Sequence, residues 1–556
     1  MHILLLDCGY GFNFEDWGHT VSRVTLTDGE TPLDRICASL ASPPDLLIQQ
    51  ESLLNRRFIT GLESAPFPTL FFTFDTHLNL FWQQYYTRLF DAVLCPHPSL
   101  FRALPENNAS SRIIPMPHAG YALPWKPHAG RKHDLVFCGR LTKERPTREN
   151  MAHLLQERHS LRVAQGISLN EMLALYADSR IIPNEAICYE LNLRLLEGAS
   201  AGAAMLSPDC GTDQSAVFTD GKEMLVYHDG LDLCEKISWL KNNPALAEKM
   251  GKAAHDRVQR EHLPVHRAKA LLDLLPTIGE TRAKARESAL FSWLMRLERT
   301  LMGDNQYPVS VLLEQSAALP ETPETLAGIC RLLGKPAKKE PALAFCRQLL
   351  LDNTGAESSL CNAAASACAM AHGDFYLARQ FWVRNNLHAG AGRINASMPE
   401  SASALCIAWA RSERHAGRVA RPGFPFQADK GHLPACALEF LLFAKHLAPD
   451  SSQDASAKEK ITEAEIALCA TFPAYSPHRL SLMESAPSRA VSWRALLDRG
   501  LLLLFCCRVE EGIGVIARAG DTAAAKRQSA AFSRALAAWP SHMYIIAALK
   551  KSSAPG

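Results

Sequence analysis

Glu190, Arg194 and Glu197 stand four and three positions apart within NEAICYELNLRLLEGASAGAAMLSP, residues 184–208. On a helix those spacings put all three on one face. Small residues follow, 198–204, and then a short apolar run at Met205 and Leu206. Charges lined up beside small residues, just ahead of a strand, suggest a helix whose polar face meets a ligand. A solvated, salt-bridged face is the alternative. A second constellation is FCGRLTKERP, residues 137–146. Gly139 permits close backbone approach, and Arg140 and Arg145 bring two fixed positive charges, with Lys143 as a helper. That set suits a diphosphate, which needs neutralising when it leaves; a basic surface turn is the other reading. A third is Asp75 and His77 in TFDTH. Histidine titrates near neutrality, so His77 is a candidate general base on an acceptor hydroxyl, with Asp75 beside it. Asp75 could equally cap the following helix. Gly9 and Gly11, after the first apolar run, are placed to let backbone amides approach a phosphate or sugar. They form only GxG, and a plain strand-to-loop turn reads as well.

The elements that must position these residues follow from the apolar pattern. Short runs at 3–7, 46–48, 70–73, 92–95 and 113–114 alternate with polar or helix-like segments. This is the mark of a parallel sheet with covering helices. Asp75 and His77 then sit past the carboxyl end of a strand, where ligands of open α/β sheets collect. Pro115, Pro117, Pro124 and Pro127 mark a crossover. A second set of runs follows at 135–138, 161–164, 180–182, 205–206 and 224–227. Two Rossmann-like units joined by a proline-rich linker are expected to leave a cleft. The expected domains are 1–120, on the acceptor side, and 121–280, which binds the donor. Helical segments at 232–242 and 244–261 close the second, and the polar stretch 275–288 is a boundary.

From residue 288 to 556 the pattern changes. β-branched residues become scarce, and alanine and leucine dominate with helical period. Gly373-Asp374 with Ala378, and Gly520-Asp521 with Ala525, resemble the turn of a tetratricopeptide repeat. An irregular helical domain is the alternative. Residues 389–399 and 449–458 read as loops. A repeat stack would offer a concave face to a protein partner or the acceptor. The fold class expected is therefore α/β then all-α.

Composition excludes several classes. A chain of 556 residues is too long for one core. Net charge is +2, so bulk electrostatics favour neither nucleic acid nor a membrane surface. No apolar run reaches transmembrane length, and MHILLLDCGYG reads as a strand rather than a signal peptide. The 16 cysteines lack CxxC spacing and are expected to be reduced and mostly buried. A cytoplasmic protein is the expectation. No DxD, HExxH or Cys/His cluster appears, so no metal site and no cofactor are expected.

Three stretches carry a resemblance: GRLTKER at 139–145, ELNLRLLEGASAG at 190–202 and TDGKEMLVYHDGLDLCEKI at 219–237. FTFDTHLNLFWQQYYTRLFDAVLCP at 72–96 supports them. Residues 1 to about 275 resemble a GT-B glycosyltransferase, nearest the CgeB-type (spore-maturation) family and more distantly family 4. The family pattern is close to D-L-N-x-R-x-x-E-A-x-A-x-G. Glu190 stands for its aspartate, Asn192, Arg194, Glu197 and Gly202 match, and Gly198 replaces an alanine. The resemblance implies a nucleotide-sugar donor, with Glu197 on the two ribose hydroxyls, Arg140 and Arg145 on the diphosphate and Arg194 one turn before Glu197. Asn192 either touches the donor from the first turn or is structural, and Gly202 lets the base or sugar approach. It implies metal-independent glycosyl transfer to an acceptor protein or glycan. Two alternatives stay open: a degenerate GT-B module acting as a scaffold through its helical half, and another two-domain nucleotide-binding enzyme.

Overall fold

The computed structural model describes residues 1–9, 11–52, 57–102, 112–188, 190–280, 282–283, 285–303, 307–388, 398–448, 455–485 and 492–552. The chain forms two parallel α/β sheets in its N-terminal half and is largely helical beyond them, as the apolar pattern predicts. The first sheet contains β1 (His2–Leu6), β2 (Thr20–Val24), β4 (Leu46–Gln50), β6 (Thr69–Phe72), β7 (Ala92–Cys95) and β8 (Arg112–Pro115). Their order is β2-β1-β4-β6-β7-β8, all pairs parallel. The inner strands are buried on both faces, which is why each carries a short apolar run. The edge strand β2, TVSRV, is polar and half-exposed, so no run announces it. A separate parallel pair, β3 (Gly29–Pro32) with β5 (Arg57–Thr60), is also invisible to periodicity, being four residues a side.

The second sheet contains β9 (His133–Cys138), β10 (Arg162–Ala164), β11 (Ser179–Pro183), β12 (Ala204–Pro208) and β13 (Met224–Tyr227), in the order β10-β9-β11-β12-β13. Ile181 pairs with Leu135 and with Ala204 across the centre. The proline-rich crossover, 116–127, carries no regular structure. It is pinned by the Gly120 N–H on the His262 carbonyl at 2.7 Å and the Tyr121 N–H on Ser200 Oγ at 2.9 Å.

Contacts divide the chain into two units: 1–8, 18–115 and 274–468 in one; 9–17, 116–273 and 469–556 in the other. The C-terminal helices are therefore shared out. In the first unit, the helix Ala285–Leu301 buries Trp293 and Leu297 with Phe81, Trp82 and Tyr86 of the helix Thr76–Tyr86. Arg282 is bonded to Asp91 at 2.7 Å, a buried pair. In the second unit, Trp493–Phe505 and Val509–Ala525 form an antiparallel pair whose Leu504, Val509 and Ile513 join Leu154 and Leu231 in one core. Asp229 latches the chain end: its Oδ2 accepts from Trp539 Nε1 at 2.8 Å and from Ser541 Oγ.

The two glycine-aspartate signatures part company. Gly373, at φ +82°, turns the chain between Ser359–Ala371 and Phe375–His388, and Asp374 Oδ1 accepts from the Leu377 N–H at 2.9 Å. Gly520-Asp521 does not turn: it lies inside Val509–Ala525, and the turns on either side of that helix are at Cys507, φ +62°, and Arg527, φ +55°. A helix tolerates one glycine, so the dipeptide alone cannot terminate it. Of the two expected loops, 389–397 and 449–454 lie outside the described residues, and 455–458 begin the helix Ala455–Cys469. Among the described residues no helix is long and apolar enough to cross a membrane, and no cluster of His, Cys, Asp or Glu is arranged to hold a metal ion. The cysteines are free thiols, mostly buried.

Candidate functional site

In the second sheet, β10 lies on one side of β9 and β11 on the other. The strand order reverses between β9 and β11, and such a switch point opens a crevice at the carboxyl ends of its strands. Gly139 follows β9 there, and Asn184 follows β11. Arg194, in the first turn of the helix Leu193–Ser200, spans the two. Its Nε donates to the Cys138 carbonyl at 3.1 Å and its Nη1 to Asn184 Oδ1 at 3.0 Å. The guanidinium lies over the Phe137 ring, 4.4 Å from its centroid. Nη2 makes no hydrogen bond among the described residues and occupies the space a side chain at Gly139 would need: a Cβ there would stand 2.8 Å from it. Gly139 is thus glycine because Arg194 fills its place.

Glu197 follows one turn later. It is 9% exposed, yet its carboxylate accepts no hydrogen bond among the described residues. Burial pushes its pKa up to about 7, against the pull of the Arg194 charge. A carboxylate buried without donors is costly unless a ligand supplies them.

Positive charge gathers around Arg148. Arg148 is buried and bonded to Glu185 Oε2 at 2.6 Å. Burial lowers the Arg148 pKa; Glu185 opposes this, and the charges of Arg194 and Arg145 add to it. Arg145 precedes the helix Pro146–His159, half-buried, and Arg140 is exposed; neither guanidinium has a hydrogen-bond or ion-pair partner among the described residues. Arg145, Glu185, Tyr227 and His228 border a cavity of ≈ 280 Å³ at the carboxyl ends of β11 and β13, closed by Pro477 and Phe505 from the helical tail.

Three expectations change. Glu190 is not on the helix face with Arg194 and Glu197. The helix begins only at Leu193, because Asn192 is extended at φ −84°, ψ 165°. Glu190 instead accepts the Cys188 N–H at 2.9 Å. Asn192 Nδ2 holds the Glu185 carbonyl at 2.9 Å, while its Oδ1 is buried without a partner. Gly202 offers no room to a base or sugar: a Cβ there would meet the Trp125 ring at 2.5 Å. Its positive φ, +72°, and this packing are what require glycine. Gly9 and Gly11 belong with the second unit, in a segment tied by the Asn13 N–H to the Pro264 carbonyl and by Trp17 Nε1 to the Val265 carbonyl. The space at Gly9 is open.

In the first unit, Asp75 and His77 share the turn into the helix Thr76–Tyr86. Asp75 does not cap this helix through its side chain. Glu51, just past β4, holds the turn that leads into it: its Oε2 accepts the N–H groups of Phe74 at 2.6 Å and Asp75 at 2.9 Å, and its Oε1 accepts Asn79 Nδ2 at 2.7 Å. Burial pushes the Glu51 pKa up to about 7, with the bonds from Phe74 and Asn79 pulling back. His77 is buried, its ring 6.2 Å from that of His97. Glu51, Arg148 and Glu185 escape sequence reasoning, since each is a lone charge without a pattern. The signal that could have found Glu51 is its place one residue past a strand end.

A family model described as glycosyl transferase-like matches residues 142–273. None of the curated proteins compared with the chain matches it. Among solved structures, sucrose-phosphate synthase from Thermosynechococcus elongatus is 12% identical at a TM-score of 0.38, over 50% of this chain and 98% of its own. A glycosyltransferase from Rickettsia africae ESF-5 is 12% identical at 0.35, over 50% and 98%. Anabaena Alr3699/HepE, in complex with UDP and glucose, is 9% identical at 0.34, over 50% and 100%. Residues 142–273 thus form a glycosyltransferase-like domain that contains Arg145, Arg194 and Glu197.

Proposed function

We propose that this chain is a cytoplasmic GT-B glycosyltransferase of the CgeB type that moves a sugar from a nucleoside diphosphate to an acceptor hydroxyl on a protein or glycan, without a metal ion. The observation that carries the reading is Glu197, buried at 9% exposure with no donor to its carboxylate among the described residues, one turn from an arginine anchored across the switch point. Two ribose hydroxyls satisfy its two oxygens. Arg194 Nη2, Arg145 and Arg140 neutralise the diphosphate, whose charge grows as the bond from sugar C1 to the phosphate oxygen breaks. The acceptor oxygen forms the new bond to C1, and its proton passes to His77, with Asp75 beside it. Glu190, Asn192, Gly139, Gly202, Gly9 and Gly11 shape or support the donor side. The helical segments serve a protein partner or the acceptor.

The test is a thermal-shift series of the full chain with UDP, GDP, ADP and CDP. A ligand that binds only the folded state raises the melting temperature. One diphosphate is expected to do so in the wild type and to fail in Glu197→Ala and Arg194→Ala. If both variants respond as the wild type does, the donor site is elsewhere. Added EDTA is expected to leave transfer unchanged.

A further inference from the structure

A larger cavity, ≈ 400 Å³, lies wholly within the first unit. It is walled by the helices Thr76–Tyr86, Ala285–Leu301, Pro323–Leu332 and Ser359–Ala371. Ligand pockets run from about 300 to 1,000 Å³. Its charged lining is mostly spoken for. Glu298 takes two bonds from Arg331, at 2.5 and 2.9 Å, and one from Arg421 at 2.8 Å. Glu413 takes two from Arg418, at 2.5 and 2.8 Å. Lining groups left without a hydrogen bond among the described residues include the Tyr85 hydroxyl, Gln84 Oε1, the Glu324 carboxylate and Arg331 Nε. The rest of the wall is apolar and small, with Ala327, Ala363 and Ala364 beside Leu80 and Leu297.

We propose that this cavity seats the acceptor, and that the acceptor is an extended stretch of polypeptide with small side chains. The inference rests on the transferase reading above. Leu80, Phe81 and Gln84 stand three, four and seven positions after His77, so they share its helix face. Eight residues of helix separate His77 from Tyr85, a rise of about 12 Å. An extended chain covers that distance in about four residues, so a peptide seated at Tyr85 brings a serine or threonine to His77. Its N–H groups meet Glu324 and Gln84, and a carbonyl accepts from Tyr85. A sugar acceptor fits worse. Each of its many hydroxyls needs a partner when buried, and the lining has few groups to spare.

The experiment uses the full chain and fluorescein-labelled octapeptides of Ala, Pro, Ser and Thr, read by anisotropy, with maltotriose and chitotriose as unlabelled competitors. Leu360→Trp fills the cavity from a half-exposed position; Tyr85→Phe removes one hydroxyl. At least one peptide is expected to bind the wild type, about tenfold more weakly in Leu360→Trp and about threefold more weakly in Tyr85→Phe. Should Leu360→Trp fail to fold, Tyr85→Phe decides. No binding by any peptide, equal binding in the folded variants, or displacement by either sugar overturns the proposal. The nucleotide thermal shift is read in parallel. If a diphosphate raises the melting temperature and no peptide binds, the cavity assignment falls and the transferase stands. If no diphosphate binds, the transferase falls, and the peptide data still report on the cavity.

Discussion

Glu51, just past a strand of the first sheet, and Glu197, on a helix beside the second, are two buried carboxylates whose burial raises the pKa to about 7. Their surroundings are opposite. Glu51 accepts three hydrogen bonds, two from backbone N–H groups at a helix start. Glu197 accepts none among the described residues. The first has exchanged water for protein donors and holds a turn in place. The second is 9% exposed and has no protein donor among the described residues, a deficit that water or a ligand must fill. Burial alone therefore does not distinguish a structural acid from a binding acid; the count of donors does.

The largest expected effect breaks the comparison on the Glu51 side. Glu51→Ala leaves two backbone N–H groups and the Asn79 amide unsatisfied. At about 1–3 kcal/mol for each orphaned group, a loss on the order of 4 kcal/mol is expected in urea unfolding. An unchanged midpoint would mean that Glu51 holds nothing. Glu197→Gln should go the other way. The folded pKa is raised above the unfolded one, so between about pH 4.5 and 7 the folded protein binds more protons, and stability falls as pH rises. A shift from 4.5 to about 7 is worth on the order of 3 kcal/mol. Glutamine removes that loss, so this variant should melt above the wild type at pH 8 and with it at pH 4. Coincident curves at both pH values would equate the two acids.

Nucleotide binding sharpens the contrast next. Glu197→Ala removes both acceptor oxygens from the proposed ribose contact, a loss of about 100-fold in affinity, or about 2.7 kcal/mol. A Glu51 variant that remains folded should bind the diphosphate normally. Isothermal titration of both proteins reads the difference, and a weakened Glu51 variant would show that the distinction between them is false.

How far this was legible in the sequence varies with the kind of signal. The inner strands were, because a strand buried on both faces is mostly apolar, as in AVLC at β7 and the Leu46–Ile48 part of β4. Glu197 was legible as a charge three positions from Arg194. The true helix start was not. Glu190 and Leu191 continue the helical period, and only the extended backbone of Asn192, with its side chain on Glu185, ends it. Glu51 was not, because its partners lie 23 to 28 residues away and share no spacing with it. The division of the helical half was least legible. It rests on contacts such as Asp229 with Trp539, 310 residues apart, and no local pattern records which sheet a helix will pack against.

The smallest effect is the pH dependence of donor binding, and it isolates the ionised form of Glu197 from its shape. Ribose hydroxyls donate, so the carboxylate receives them best when ionised. With a folded pKa of about 7, the ionised fraction falls about fivefold between pH 7 and 6 and approaches a tenfold fall per unit below that, to the extent that the acid form cannot bind. Affinity for the diphosphate should therefore fall by up to about tenfold per pH unit below 7 and level off above 8. The phosphate's own titration near neutrality adds a slope, so the wild type is compared with Glu197→Gln, which keeps that slope and lacks the carboxylate. The difference between the two curves belongs to Glu197. A difference that is flat from pH 5 to 8 would mean that its proton is irrelevant to the donor, and that its lack of hydrogen bonds marks a tolerated cost rather than a binding site.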